Sequence, residues 1–65
     1  MNKLELKSAI VRKGLSAEKV AERIGVNRAT FYRRMNNGSF TVADVSAMKE
    51  LLELSESDIS LIFLS

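Results

Sequence analysis

The sequence predicts an all-α domain of five short helices, and three observations carry that prediction. Apolar residues recur at helical spacing in five separate runs. Capping residues stand ahead of those runs, at Asn2, Ser16, Asn27, Thr41 and Ser55. Gly14, Gly25 and Gly38 follow the first three runs, where a helix must stop. The chain also has no proline and is 46% hydrophobic, which suits a folded, largely helical unit rather than a disordered tail.

The first helix is predicted from about Lys3 to Lys13, with Asn2 and Glu5 spaced as a cap. Leu6, Ala9, Ile10 and Lys13 follow i, i+3, i+4, i+7 spacing, and Leu4 and Val11 form a second apolar row. Arg12 and Lys13 suit the negative end of the helix dipole, and Gly14 follows them. Leu15 precedes the Ser16 cap and can staple onto Val20. The second helix, Ala17 to Ile24, turns Val20, Ala21 and Ile24 inward, with Ala21 small enough for a close crossing. Glu18, Lys19, Glu22 and Arg23 face outward. Gly25 breaks this helix, and Asn27 caps the third, Arg28 to Asn36, before Asn36-Asn37-Gly38 makes a turn. Thr41 with Asp44 forms a capping box for a fourth helix ending near Leu54. Val45, Met48 and Leu52 share its inner face, widened by Val42 and Leu51. Ser55 with Asp58 is a second box, opening a fifth helix over residues 58–65 with Ile59, Ile62 and Phe63 inward.

Residues 1–65 read as a single domain without repeats or linkers. A chain of this length buries only about 60% of its unfolded surface, so its core is small. With no cysteine there is neither a disulfide nor a thiolate zinc site, and with no histidine the commonest general base and metal ligand are missing. No cofactor and no metal are expected, and so small a core holds no cleft, which argues against an enzyme. No apolar run approaches the roughly 18–20 residues of a membrane span, and the charged N-terminus has no signal-peptide core. A cytoplasmic protein is expected. Charge is unevenly placed. Residues 1–40 carry nine of the ten bases and three of the eight acids, a net +6, while residues 41–65 carry −4. Such a division gives one face to a polyanion and keeps the other off it.

The third helix carries three arginines and no acid. A short helix, a tight glycine turn and a basic second helix make the sequence form of a helix-turn-helix, here residues 16–37, which reads DNA in the major groove. At about 100° per residue, with Arg28 at zero, Phe31 and Met35 set the inward direction near about 320°. Arg33 then points directly away from the core, at about 140°, with Ala29 beside it. Arg28 lies in the first turn, where a long side chain can leave along the helix end. An arginine can donate two parallel hydrogen bonds to guanine, and alanine offers a methyl to thymine. Arg28, Ala29 and Arg33 are therefore the candidate base contacts. Asn27, Thr30, Tyr32, Arg34 and Asn36 flank that face as phosphate candidates, with Lys19, Asn37 and Ser39 as weaker ones. Structural readings compete. Asn27 can serve only as a cap, and Asn36 and Asn37 only as a turn. Tyr32 can be a packing residue. Arg34 can lie on the core or pair with an acid such as Glu22.

Ala21, Gly25 and Phe31, with Val20, Ile24 and Val26 beside them, resemble the pattern of the phage repressor and Cro-like family, the lambda-repressor-like DNA-binding fold. The resemblance covers essentially the whole chain, including the stretches NRATFYRRMNNG and FTVADVSAMKELLELSESDISLIF. It implies a five-helix fold with the helix-turn-helix at the second and third helices. It also places base contacts at Arg28, Ala29 and Arg33. Two positions depart from the pattern. Family members often have a phosphate-binding glutamine where this chain has Ala17, which leaves Ser16 and the free N–H groups of that helix end as the phosphate site. Many also have an apolar residue where Arg34 stands, with Met35 here taking the packing role. The expected function is a sequence-specific regulator of transcription, a repressor or Cro-like protein on double-stranded DNA, in the bacterial cytosol and associated with the nucleoid. A palindromic operator would call for a homodimer, for which Leu61 and Leu64 in the acidic half are the candidate contact, unless they close the core. The alternative is an interaction module, an antirepressor or adaptor, that keeps the fold without binding DNA.

Overall fold

Every helix begins where a side chain accepts a backbone N–H that the helix cannot satisfy itself. In the computed structural model, which describes residues 1–65, there are five helices and no strand: α1 (Lys3–Arg12), α2 (Ala17–Ile24), α3 (Arg28–Asn37), α4 (Val42–Leu51) and α5 (Glu56–Phe63). Asn2 accepts from the Glu5 N–H at 3.2 Å, Ser16 from Lys19 at 3.1 Å and Asn27 from Ala29 at 2.8 Å. Thr41 and Asp44 form a complete capping box, each side chain accepting from the other's N–H at 3.0 Å, and Ser55 and Asp58 do the same.

The first four helices also end alike. The N–H just past each end reaches back five residues: Leu15 to the Ile10 carbonyl, Val26 to Ala21, Ser39 to Arg34 and Leu54 to Lys49. That closure needs a left-handed residue at the corner. Gly14, Gly25 and Gly38 supply it at φ 73°, 75° and 65°. In α4 the corner is Glu53, at φ 52°. Helix α4 therefore stops at Leu51, three residues short of the predicted Leu54, with no glycine to mark the place. Burial of Leu52 and Leu54 on either side of Glu53 holds it in that conformation. Helix α5 likewise covers Glu56–Phe63 rather than 58–65.

Leu6, Ala9 and Ile10 from α1, Val20 and Ala21 from α2, Phe31 and Met35 from α3, and Met48 and Ile62 from the last two helices form one core. Helix α2 packs on α1, α3 and α4, and α1 also packs on α5. The Phe31 ring is fully buried, with the Phe40 ring centroid 5.1 Å away and Phe63 beyond it, 6.3 Å from Phe40. The chain ends meet. The Asn2 N–H donates to the Ile62 carbonyl at 2.6 Å, and the Met1 ammonium to the Ser65 carbonyl at 3.2 Å.

So small a core takes one row of each helix. The second row predicted for α1 is outside it, with Leu4 and Val11 exposed. Val42, predicted to widen the α4 face, is 87% exposed, because it stands at the first position of that helix. Leu61 and Leu64 are exposed too. No helix is long and apolar enough to cross a membrane.

Helix α5 starts on two carboxylates that titrate below their ordinary range. For Asp58 the main cause is the Ser55 backbone N–H donating to it, and for Glu56 it is the hydrogen bond from Lys49 at 2.7 Å. A depressed folded value means stabilisation that is complete above the unfolded value and lost as pH falls through the folded one. Acidification below about pH 4 is thus expected to loosen α5. Thermal melts followed by circular dichroism should show the midpoint falling there, and the fall should be shallower in Asp58→Asn. A midpoint that stayed flat to about pH 2.5 would contradict this.

Candidate nucleic-acid interface

Gly25, Val26 and Asn27 join α2 to α3 in a turn of three residues. The Gly25 N–H donates to the Glu22 carbonyl at 3.2 Å and the Val26 N–H to Ala21 at 2.9 Å, so the turn is tied to the helix before it. Ala21 is buried beneath it, in line with the small side chain a close crossing requires. At the other end Asn27 caps α3, accepting from Ala29 and, at 3.4 Å, from Thr30. The two helices therefore hold a set relation through local hydrogen bonds.

On α3, Phe31 and Met35 are buried, as the helical wheel requires. Arg28, Ala29, Arg33, Asn36 and Asn37 are exposed, while Thr30, Tyr32 and Arg34 are half-buried. The three arginines differ in what holds them. The Arg28 guanidinium lies 3.4 Å from the Glu18 carboxylate and 6.0 Å from the centre of the Tyr32 ring. Both partners are exposed or partly so, and the pair is open to solvent, so it orients Arg28 without trapping it. Arg34 turns to the other flank and meets Asp44 at 2.8 Å. Its acid partner is Asp44 and not Glu22, which instead receives Lys19 at 3.5 Å. Arg33 has no ion pair and no hydrogen-bond partner.

The remaining candidates divide in the same way. Ser16 is exposed and accepts from the Lys19 N–H, while Ala17 is half-buried in a shallow depression with Leu15, Tyr32 and Met35. Lys19 and Ser39 are exposed. Asn36 is a helical residue whose side-chain oxygen accepts from the Lys3 ammonium at 3.2 Å, and Asn37 is the last residue of α3. Gly38 alone makes the left-handed turn there. Tyr32 packs edge-on to Phe31, with ring centres 6.3 Å apart, so its ring has the packing role.

Three residues that touch this face were not among the sequence candidates: Lys3, Glu18 and Asp44. Glu18 and Asp44 each stand ten residues from the arginine they hold. That spacing matches no helical repeat, so no local pattern marks either pair.

No family model matches the chain, and neither a curated protein nor a solved structure matches it. What α3 offers a ligand is therefore set by its own side chains. It presents an acid-free helix with one arginine braced on an exposed acid, one tied to a buried acid and one wholly free. The methyl of Ala29 lies one turn before Arg33, and both residues are exposed.

Proposed function

We propose that the protein is a sequence-specific regulator that binds double-stranded DNA, of the phage repressor or Cro-like kind. In this reading α2 and α3 form a helix-turn-helix in a lambda-repressor-like domain, and α3 lies in the major groove. One observation carries the reading. Arg33 stands on the face opposite Phe31 and Met35, exposed and without a partner, on a helix that has no acid of its own. A fold has no need of a long cation held there. A major groove does, because its guanine edges accept two parallel hydrogen bonds from a guanidinium.

Arg28 joins Arg33 as a base reader, with Ala29 available to a thymine methyl. Asn27, Thr30, Asn36, Asn37 and Ser39 border them, and Ser16, Lys19 and the N–H of Ala17 stand at the start of α2, where phosphates are expected. Tyr32 can add its hydroxyl to that border. Arg34 contributes charge nearby while its guanidinium stays on Asp44. The exposed Leu61 and Leu64 are the proposed contact of a homodimer on a palindromic operator.

The exposure of Val42 and Leu64, at the rim of an apolar groove with Phe40 and Phe63, favours a second reading, an interaction module that does not bind DNA. Titration of a fluorescent mixed-sequence duplex separates the two. Binding is expected, with its logarithm falling linearly in the logarithm of salt between about 50 and about 200 mM, by about 0.9 per phosphate contacted. Selection from a random duplex pool is then expected to return a palindrome. Absent binding, or binding indifferent to salt, would favour the interaction module.

A further inference from the structure

Asp44 is the only buried charged residue of the protein, at 6% exposure. One of its oxygens, Oδ2, accepts from two donors on different elements. The Thr41 N–H reaches it at 3.0 Å, and Arg34 Nη1 at 2.8 Å. The first bond belongs to the capping box, so the carboxylate is held at the start of α4 independently of α3. The second bond is the one direct polar tie between the side chains of α3 and α4.

We propose that Asp44 is a positioning residue for the reading face: it pins Arg34 and so fixes how far α3 is rotated about its own axis, which aims Arg33. This rests on the reading of α3 as the DNA helix. The geometry of the wheel gives the reason. Arg34 lies about 80° to one side of the inward direction set by Phe31 and Met35. Tyr32 lies about 80° to the other side, half-buried against the core beside Leu15 and Ala17. The helix is therefore stopped on both flanks, by a ring on one and an ion pair on the other. Arg33 stands opposite, exposed and with no partner of its own, so it turns with the helix. A roll of about 10° moves a side-chain tip about 6 Å from the axis by about 1 Å. That is enough to take an N–H out of hydrogen-bond range of a base edge.

A pair of this kind is poorly explained by stability alone. Bringing an arginine and an aspartate out of water costs much of what their attraction returns, and apolar pairs of similar size often do as well. What an apolar pair does not supply is a single fixed direction. The pairing engages Nη1 of Arg34 and turns the guanidinium toward α4.

Asp44→Asn tests this with a sign that charge alone cannot give. The substitution removes one negative charge and frees Arg34. Electrostatics by itself predicts tighter binding to every duplex and a steeper salt dependence. The pin predicts that the duplex selected from the random pool is bound about tenfold more weakly, while a mixed-sequence duplex is bound as before or more tightly. Both are measured at a temperature where circular dichroism shows the variant folded. Arg34→Leu is expected to lose the same selectivity, and the double variant to lose no more than either single one. If Arg34 were a phosphate contact, Arg34→Leu would weaken both duplexes alike and lower the salt slope by about one. That result would overturn the proposal.

A readout without DNA keeps the two ideas apart. Amide chemical shifts of residues 28–37 in the free protein are expected to move together in Asp44→Asn, as a rolled helix requires. If the wild type binds no duplex, the DNA reading fails, and these shifts alone decide whether the pin exists. Unmoved α3 shifts would overturn the pin. So would a selected duplex bound as tightly by Asp44→Asn as by the wild type, wherever the wild type does bind.

Discussion

Replacing Phe31 with alanine is expected to remove much of the domain's stability. The ring is completely buried and links Tyr32 on one side to Phe40 on the other, and through Phe40 to Phe63. Truncating such a ring costs about 3–5 kcal/mol, from lost burial and from the cavity left behind. At about 0.05–0.15 kcal/mol per residue, the whole chain has roughly 3–10 kcal/mol to lose. Neighbouring side chains can do little to fill the gap, because the other buried residues are already committed to the same core. The helical circular dichroism signal should be largely lost, or the melting midpoint lowered by at least about 12 °C. Leu4→Ala is the control. Leu4 is exposed, so its removal should change stability by no more than about 0.5 kcal/mol. Equal effects from the two substitutions would mean that the core is not organised around Phe31.

Arg33→Ala is expected to do the reverse, sparing the fold and losing the site. Nothing in the protein pairs with Arg33, and alanine is a good helix former, so the melting midpoint should stay where it is. Binding to the duplex selected from a random pool should weaken by about 1–3 kcal/mol for each half-site, the value of one bidentate contact to guanine. On a two-fold site the loss counts twice. A repeat of the selection with the variant should return a consensus relaxed at one base pair in each half. Uniform weakening on all sequences would make Arg33 a phosphate contact. No change on any duplex would leave its exposure unexplained by DNA.

The starts of the helices could be read from single residues because a cap is a local event. Asn2, Ser16, Asn27, Thr41 and Ser55 each satisfy an N–H two or three residues ahead, and no distant part of the chain bears on that. Gly25 and Gly38 were equally visible as stops. Glu53 was not, since its glycine-like conformation depends on distant contacts, with Leu52 and Leu54 buried on either side of it and its carboxylate paired with Lys13. The same distinction runs through the candidate site. The inward turn of Phe31 and Met35 follows from periodicity, whereas the partner of Arg34 depends on how α4 returns to α3 after Gly38. Thr41 and Asp44 were recognisable as a capping box, but the box leaves acceptor sites free on the Asp44 carboxylate, and only the fold shows that Arg34 fills one of them. Leu4, Val11 and Val42 mark the remaining limit. Helical spacing says which residues share a row, and the size of the core decides how many rows are covered.

The pairing of α1 with α5 sets the order of events while the chain is being made. Residues 3–12 are synthesised before the other four helices, yet the Asn2 N–H has no partner until the Ile62 carbonyl exists. At about 5–20 residues per second, α1 waits several seconds for its mate. During that interval α2, α3 and α4 can associate, since the segments joining them are only a few residues long and closing them costs little. Helix α5, made after the other four, then brings α1 home, so α1 and α5 complete the domain together.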